Sequence, residues 1–497
     1  MDDQQTLRRR ALLRRAGTGA LALATLGGAT GTGTVAATDA DSSGSEPAAR
    51  RQPSASATQW PQFQADALNS GYTETPGPAE GSVAWRYDTG DPGAATATPP
   101  ATGTPFDEAP DDARDNVVSS PAVVDGTVYV GSNDGFLYAI DAVSGEEEWA
   151  YETGQEVMSS PAVADGTVYV GSHDGRLHAV GTDSGEREWA FEADGPVFAS
   201  PAYRDGTLYV GTQAGSMYAV DTAGEEVWQR SVADRVDSTA AVVDDTVYVG
   251  LWNDDHTGSV VALDAATGEQ TKEYPATGEI ACSPTVVDGV VYFGDYARTI
   301  YAVDTGTAEL VWGRQFDGAI LASPVVVDGT VYVGGFDGTL WAMDAANGDI
   351  EWSFSTGNQI FSSPAVTRDT VYVGSADHSL YAVDRATGDE VFSVETDRPV
   401  LSSPAVTAGA VFVGSSDSRV YAVGDPTGGE SVSATPPEAT DDPTATGTAP
   451  VGGSGDGTTA DDGPGFGALG ALGALGVGAW RRFGAAERDG TAADGDE

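Results

Sequence analysis

The sequence predicts an all-β fold, an eight-bladed β-propeller of four-stranded blades that is closed by an N-terminal strand completing the last blade. Three observations predict it. A phrase resembling Ser-Ser-Pro-Ala-Val-Val-Asp-Gly-Thr-Val-Tyr-Val-Gly recurs along the 497 residues, each copy divides into four short strand-like segments, and one extra strand precedes the first copy. A unit of roughly 40 residues with four strands is the period of a propeller blade.

A proline near the start of each copy marks the repeat, and an alanine replaces it in the fourth copy. Successive copies are 40, 40, 39, 44, 40, 40 and 40 residues apart. The marker positions are Pro121, Pro161, Pro201, Ala240, Pro284, Pro324, Pro364 and Pro404. Turn pairs such as Asp125-Gly126 separate segments of β-branched and aromatic residues, and no helical period lies between them. The pattern therefore predicts strands throughout.

An aromatic residue in the fourth strand of each blade indicates how the ring closes. The eighth copy ends near Gly424 without one, whereas the strand before the first copy carries Trp85. The residues expected to lie between neighbouring blades are Trp85, Trp149, Trp189, Trp228, Tyr274, Trp312, Trp352 and Phe392. Closing the ring removes unpaired sheet edges, which invite aggregation. The alternative, an open solenoid, would need capping repeats.

The two ends of the chain are expected to direct its location. Residues 1–37 place Arg9 and Arg10 before an apolar stretch, a pattern that resembles a twin-arginine export signal. In residues 464–497, Pro464-Gly465-Phe466 precedes an apolar run and two arginines, an order that resembles an archaeal surface-sorting tail. That resemblance implies removal of the tail and a lipid anchor on the new terminus. The alternative is a short permanent transmembrane helix.

Between these ends, composition divides the chain into a propeller and flanking linkers. Residues 38–57 and 430–463 are rich in small and polar residues and are expected to be a disordered linker and stalk. The propeller is expected over 58–429, with a Pro/Ala/Thr/Asp-rich insertion at 91–116. The insertion joins an outer strand to the next inner strand, so we expect it beside the channel mouth, either as a lid or partner contact or as a disordered, tolerated insertion.

Charge and cysteine content limit the function classes. The net charge of −51 disfavours nucleic-acid partners, because phosphates would be repelled. Many carboxylates with a single lysine, Lys272, resemble the composition of proteins from salt-loving organisms. The single cysteine excludes an internal disulfide, and Cys282 stands where sister copies have Ser or Ala, which predicts a small buried residue.

Repeat motifs resemble those of a known family. The run Tyr138-Ala139-Ile140-Asp141, followed by Gly145 and Trp149, is similar to the quinoprotein repeat, and the Trp60-Pro61-Gln62-Phe63 opening is similar to the leader of such propellers. Over roughly residues 60–424 the chain is thus identified as a PQQ-like repeat propeller. The resemblance implies that the tryptophans hold blades together. It extends both to bacterial outer-membrane assembly lipoproteins, which act through protein contacts, and to quinone-dependent dehydrogenases.

The dehydrogenases of this family carry a calcium site of Glu, Asn and Asp with a catalytic Asp or His. No such grouping stands out in this sequence, so no cofactor is predicted; pyrroloquinoline quinone with calcium is the alternative. The histidines lie in or beside predicted turns and are expected at the solvated surface: His173, His178, His256 and His378.

Two sets of residues are candidate binding sites. The residue three positions before each marker is expected near the channel, as an apolar collar with one carboxylate: Val118, Met158, Phe198, Asp237, Ala281, Leu321, Phe361 and Leu401. Packing between blades is the alternative for these residues. The lengthened hairpin of the fourth copy presents an exposed tryptophan with acidic neighbours, which could bind a sugar or a cation or form a plain loop: Trp252, Asn253, Asp254, Asp255 and His256.

The function expected from these features is a non-enzymatic binding or scaffold propeller. It is expected to be an exported monomer, tethered to the membrane at the cell surface, with other surface proteins or a small ligand as partners. The main alternative is a secreted quinone-dependent sugar or alcohol dehydrogenase. A third possibility is a sensor or carbohydrate-binding module that uses the Trp252 hairpin.

Overall fold

The computed structural model describes residues 59–90 and 116–427, which form eight four-stranded antiparallel sheets. The predicted all-β propeller is confirmed. The expected export signal, linker, insertion (apart from Asn116), stalk and sorting tail lie outside the described residues. Within the described ranges, no helical segment has the length and hydropathy that a membrane span requires.

Blades 1 to 4 each contain four consecutive strands, numbered from the channel outward. Blade 1 contains β2 (Ala122–Val124), β3 (Thr127–Gly131), β4 (Phe136–Asp141) and β5 (Glu147–Glu152). Blade 2 contains β6 (Ala162–Ala164), β7 (Thr167–Ser172), β8 (Arg176–Gly181) and β9 (Arg187–Glu192). Blade 3 contains β10 (Ala202–Arg204), β11 (Thr207–Gly211), β12 (Ser216–Asp221) and β13 (Glu226–Ser231). Blade 4 contains β14 (Ala241–Val243), β15 (Thr246–Gly250), β16 (Ser259–Asp264) and β17 (Gln270–Pro275).

Blades 5 to 7 repeat this order, and blade 8 takes its outer strand from the N-terminal side. Blade 5 contains β18 (Thr285–Val287), β19 (Val290–Gly294), β20 (Thr299–Asp304) and β21 (Leu310–Gln315). Blade 6 contains β22 (Val325–Val327), β23 (Thr330–Gly334), β24 (Thr339–Asp344) and β25 (Ile350–Ser355). Blade 7 contains β26 (Ala365–Val366), β27 (Thr370–Ser375), β28 (Ser379–Asp384) and β29 (Glu390–Glu395). Blade 8 contains β30 (Ala405–Thr407), β31 (Ala410–Ser415), β32 (Arg419–Gly424) and β1 (Val83–Asp88).

Residue type follows the position of a strand within its blade. The second strand, such as β3, is rich in β-branched and aromatic residues and is buried along its length, because neighbouring blades cover both of its faces. The outer strand β13 exposes every residue except Trp228. The turn between the first two strands of blade 1 places Asp125 at φ 50° and Gly126 at φ 87°, the paired positive values that a type I′ hairpin requires.

The ring closes in two independent ways. Strand β1 pairs with β32, with Trp85 opposite Ala422, and so completes blade 8 as predicted. At the channel, the Ser403 N–H donates to Ser120 Oγ at 2.9 Å across the seam between blades 8 and 1. The same 2.9 Å bond joins Ser120 to Ser160 within the continuous chain. At 2.9 or 3.0 Å it recurs from Ser160 to Ser200, Thr239 to Ser283, Ser283 to Ser323, Ser323 to Ser363 and Ser363 to Ser403. We call this set of bonds the serine belt.

Cys282 is the residue immediately before the belt residue Ser283, the position that Ser119 has in blade 1. Its Sγ accepts the Gly294 N–H at 3.1 Å, as Ser119 Oγ accepts the Gly131 N–H at 3.1 Å in blade 1. Cys282 is buried and free, and burial raises the pKa of its thiol to about 12. The expectation of a small buried residue fits this place.

The outer aromatic residues reach across to the following blade. Trp149 Nε1 donates to the Thr182 carbonyl at 2.7 Å, and Gly185, at φ 63°, lies so close to the indole that an added Cβ would be 2.8 Å from it. The same bond to the next blade is made by Trp85, Trp189, Trp228, Trp312 and Trp352. Phe392 lacks a donor and packs against Tyr372, with ring centroids 6.3 Å apart.

Blade 4 departs from the expected alignment of these aromatics. Ala139 is paired with Trp149 in blade 1, but the corresponding Ala262 is paired with Lys272, while Tyr274 lies opposite Val260. Lys272 Nζ donates to the carbonyls of Thr305 and Gly306, the first of which also accepts from Tyr274 Oη at 3.1 Å. The single lysine of the chain thus occupies the tryptophan position. Tyr274, further along the same strand, donates to one of the same two carbonyls.

Candidate functional site

A repeated backbone hydrogen bond builds one end of the channel. In blade 2, the N–H of His173 in the hairpin after β7 donates to the carbonyl of Glu156, five residues before the marker proline, at 2.9 Å. The hairpin positions equivalent to His173 are Asn133, Gln213, Trp252, Tyr296, Phe336, Ala376 and Ser416. Their acceptors are Asn116, Pro196, Arg235, Glu279, Ala319, Gln359 and Pro399. Because the serine belt surrounds the channel a few residues further along, both sets lie at its mouth.

The sequence-predicted collar lies between this hydrogen bond and the belt. Asp237 is buried, and the seven apolar members are half-buried: Val118, Met158, Phe198, Ala281, Leu321, Phe361 and Leu401. Phe361 contacts the Phe336 ring of the preceding blade with centroids 4.3 Å apart, and Phe198 lies 6.0 Å from the His173 ring. The mouth therefore presents partly exposed apolar side chains to whatever enters it.

The single collar carboxylate is held in an ion pair. Asp237 Oδ2 lies 2.6 Å from Arg235 Nε, and Gln213 Nε2 donates to Oδ1 at 3.3 Å. Burial raises the pKa of Asp237, and the Arg235 guanidinium opposes that rise. A buried charge is stable only when it is paired in this way. The pair therefore gives the mouth a fixed dipole on the blade 3–4 side.

Trp252 was expected at an exposed hairpin tip, but it lies in the same sector of the mouth as Arg235 and Asp237. It is half-buried, with the Arg235 guanidinium 5.4 Å from its ring centroid and the Tyr296 ring edge-on at 4.9 Å. Two backbone bonds with Arg235, of 3.0 and 3.1 Å, draw the lengthened hairpin onto the mouth. Burial raises the pKa of Tyr296, which keeps its phenol neutral.

The other side chains of the hairpin make hydrogen bonds mainly within its own turn. Asp255 Oδ1 accepts from the Thr257 N–H at 3.1 Å and from its hydroxyl at 2.5 Å. His256 is exposed and its Nδ1 lies 2.5 Å from Glu279 Oε1. Asn253 Nδ2 donates to Thr257 Oγ1 at 3.2 Å, while the Asp254 side chain is exposed. The carboxylates of Asp255 and Glu279 are therefore engaged in contacts of the hairpin itself.

The surface position expected for the histidines is wrong for two of them. His178 is 3% exposed in β8, where Nδ1 lies 3.0 Å from Tyr151 Oη and Nε2 lies 3.1 Å from Asp174 Oδ2. The His173 side chain is 8% exposed, and burial lowers its pKa. Alignment of the copies would have revealed His178, because sister blades have a tyrosine, such as Tyr138, at that position.

The leader closes the channel beyond the belt, a feature that the sequence analysis missed. Its carbonyls accept N–H groups from inner strands at the channel: Pro61 from Val163 at 2.8 Å, Ala67 from Val242 at 2.6 Å and Gly71 from Val366 at 2.7 Å. Trp60 forms a bridge with Val123, and Asn69 Nδ2 donates to the Pro284 carbonyl at 3.1 Å. These inner-strand residues follow the marker prolines, whereas the collar precedes them, so the leader and the collar lie on opposite sides of the belt.

The described residues do not fit a metal-dependent quinone site. Asp237 is paired with Arg235 and Glu279 with His256. In residues 59–90 and 116–427, no group of three or more His, Cys, Asp and Glu side chains is placed to hold a metal ion.

Comparison with known proteins supports the fold. Residues 76–250 match the family described as outer membrane protein assembly factor BamB, and residues 221–436 match the one described as beta-alanine-activating enzyme, beta-propeller. No curated protein sequence matches the chain.

Solved structures with the same fold include BamB and several alcohol dehydrogenases. BamB from Moraxella catarrhalis is 19% identical with a TM-score of 0.53, covering 62% of this chain and 96% of its own. A europium-containing methanol dehydrogenase is 14% identical with a TM-score of 0.60, and the match covers 74% of this chain and 98% of the dehydrogenase. The quinohemoprotein alcohol dehydrogenase of Comamonas testosteroni is 16% identical with a TM-score of 0.57, covering 74% and 81%. At these identities the likeness concerns the fold alone, a PQQ-like, BamB-like propeller.

Proposed function

We propose that this chain is a non-enzymatic binding propeller whose partner or ligand contacts the channel mouth. The observation that carries the proposal is the contrast between the two sides of the belt. The leader fills one side with hydrogen bonds to inner strands, and the other side presents half-exposed apolar residues such as Met158 and Phe361. Clustered exposed apolar groups with a polar rim are typical of binding surfaces.

The polar sector of the mouth gives the proposed site its specificity. Arg235, Asp237 and Gln213 form one connected group, and Trp252 and Tyr296 adjoin it. Tryptophan, tyrosine and arginine are the residues that contribute most to binding energy in interfaces. The remaining mouth is apolar, so a partner would place an apolar segment against Phe361 and a hydrogen-bonding group against blades 3 to 5.

The proposed location is the outer face of the cell membrane. Support comes from the order of residues in the two ends: Arg9 and Arg10 ahead of an apolar stretch, and Pro464-Gly465-Phe466 ahead of a second one. The partners proposed for this setting are other surface proteins or a small ligand, and the propeller is proposed to act as a monomer.

The alternative is a secreted quinone-dependent sugar or alcohol dehydrogenase. It draws support from the alcohol dehydrogenases that share the fold. The engaged carboxylates of Asp237 and Glu279 favour the binding function over it, because a catalytic base must be available to its substrate.

A crosslinking experiment tests the proposed function. A photoreactive amino acid replaces Met158 or Phe361 in the full chain, which is then illuminated in intact cells. Val311, 46% exposed on the outer strand β21, receives the same replacement as a control for nonspecific capture. We expect a discrete adduct from both mouth positions and none from Val311. No adduct at the mouth, or an equal yield from Val311, would contradict the proposal.

A further inference from the structure

A cavity separate from the channel mouth lies between blades 1 and 2, on the side where the first two strands of each blade turn. Its volume is about 670 Å³. Blade 1 contributes Asp125, Tyr129 and Glu148, and blade 2 contributes Asp165 and Thr182. The side chains that line it include four carboxylates and no basic group. We call it the 1–2 cleft.

The equivalent cleft between blades 6 and 7 has the same first wall. Thr127 Oγ1 donates to Glu148 Oε2 at 3.1 Å, and Thr330 Oγ1 donates to Glu351 Oε2 at 3.1 Å. Behind these pairs, the rings of Tyr129 and Trp149 are 5.8 Å apart and tilted by 42°, while those of Tyr332 and Trp352 are 5.8 Å apart and tilted by 46°. The repeat thus supplies two copies of one wall.

In the 6–7 cleft, the guanidinium of Arg385 lies against this wall. Arg385 Nη2 donates to Asp328 Oδ2 at 2.8 Å and Nε donates to Tyr332 Oη at 3.1 Å. The guanidinium carbon lies 5.9 Å from the Tyr332 ring centroid and 5.8 Å from that of Tyr72. Asp328 and Tyr332 correspond to Asp125 and Tyr129 in the repeat.

Blade 2 has Thr182 at the position of Arg385, since each stands twenty-one residues after its marker proline. Its Oγ1 donates to the Gly166 carbonyl of its own blade at 3.0 Å, so it does not reach the opposite wall. The 2–3 cleft is filled by Tyr203, whose hydroxyl donates to Asp165 at 2.8 Å and whose ring stacks on Tyr169 at 6.3 Å. In the 1–2 cleft, Gln59 Nε2 donates to Asp125 Oδ1 at 2.8 Å, so the same wall carries a neutral amide where the 6–7 cleft has a guanidinium.

We propose that the 1–2 cleft binds an arginine side chain of a partner protein. The incoming guanidinium displaces the Gln59 amide from Asp125, lies against the Tyr129 ring and takes the place that Arg385 has in the 6–7 cleft. This site is separate from the channel mouth, and the inference does not depend on the function proposed for the mouth.

The wall selects arginine over other cations. A guanidinium is planar and donates in several directions, so it can bond a carboxylate and cover an aromatic face together. A lysine ammonium is a compact, strongly hydrated charge that cannot do both. Asp165 and Thr182 stand where the 6–7 cleft has Arg368 and Arg385, which gives the 1–2 cleft a stronger negative field. A partner with an exposed arginine on a basic segment has the complementary charge.

The test titrates the full chain with the blocked peptide acetyl-Gly-Arg-Gly-amide in molar potassium chloride, by calorimetry. Its citrulline and lysine analogues are the controls. We expect one saturable site with a Kd on the order of 1 mM for the arginine peptide, and at least tenfold weaker binding of both analogues. Equal binding of citrulline, or no saturable binding of arginine, overturns the proposal.

Reciprocal variants locate the site. Thr182→Arg supplies the missing guanidinium and is expected to abolish binding, whereas Arg385→Thr opens the 6–7 cleft and is expected to give two sites. Asp125→Asn should weaken binding at least tenfold, and Asp288→Asn, at the matching position of blade 5, should not. Both positions have φ of 50°, which asparagine tolerates, so folding is preserved in this pair even if Arg385→Thr misfolds.

Two results contradict the assignment. Binding that persists in both Thr182→Arg and Asp125→Asn places the peptide elsewhere. Binding that is seen only after Arg50 and Arg51 are both replaced by serine shows that the chain's own arginines take the cleft instead of a partner's.

Discussion

Replacing Ser120 by alanine tests whether the ring is closed at the channel. Ser120 Oγ accepts the Ser403 N–H at 2.9 Å across the seam between blades 8 and 1, and both residues are buried at 7% and 8% exposure. The variant leaves that N–H without its acceptor. A buried donor left unpaired costs about 1–3 kcal/mol, which is therefore the expected loss in free energy of unfolding.

Ser160→Ala is the matched comparison, because Ser160 Oγ accepts the Ser120 N–H at 2.9 Å between adjacent copies that the chain itself connects. The two variants should lose equal stability in guanidinium chloride titrations in molar salt. Ser231→Ala, on the exposed face of β13, should change it by less than about 0.5 kcal/mol. If Ser160→Ala is destabilised and Ser120→Ala is not, the seam is open and the closed ring is refuted.

Two further predictions concern pH and the unusual blade. Burial raises the pKa of Asp66 in the leader to about 6, against hydrogen bonds from Ser70. The folded state therefore holds a proton that the unfolded state releases, so the carboxyl's contribution to stability is full below about pH 4 and is lost as pH rises through about 6. Relative to Asp66→Asn, the wild type should lose about 2–3 kcal/mol over that range in denaturant titrations, and a constant difference would contradict the assignment. Lys272→Met removes the donor to Thr305 and Gly306 and should cost about 1–3 kcal/mol by the same measurement, whereas no loss would show that the Lys272 bonds do not stabilise the contact between blades 4 and 5.

The repeat made the architecture predictable. Strand positions, blade number and closure by the strand carrying Trp85 followed from periodic residues, because every copy places the same residue type in the same environment. Cys282 was placed correctly for this reason, since its neighbours in the alignment are small.

Predictions failed where one copy departs from the others. Tyr274 does contact blade 5 through the Thr305 carbonyl, but Lys272 takes the tryptophan position, because the spacing from Ala262 to Lys272 is the same as from Ala139 to Trp149. His178 and Trp252 were expected at the surface because they adjoin turns, yet one replaces a core tyrosine and the other bridges to Arg235. These contacts join residues that are far apart in the chain, so the local sequence pattern around each residue does not predict them.

The leader shows a second limit of sequence reasoning. Trp60, Ala67 and Gly71 bond to blades 1, 4 and 7, and no period in the sequence connects an irregular segment to inner strands so far along the chain. The need was foreseeable in general, because buried inner-strand N–H groups require acceptors. The sequence did not show which segment would supply those acceptors.

The measurement that tests the account most directly is a titration of the purified full chain with pyrroloquinoline quinone and calcium in molar salt. The cofactor absorbance spectrum and dye reduction with glucose and simple alcohols are followed together. A channel mouth that binds partners through Phe361, Trp252 and the Arg235–Asp237 pair predicts no saturable spectral change and no dye reduction. Saturable binding with turnover, lost in Asp237→Asn, would contradict the account and make the mouth an active site.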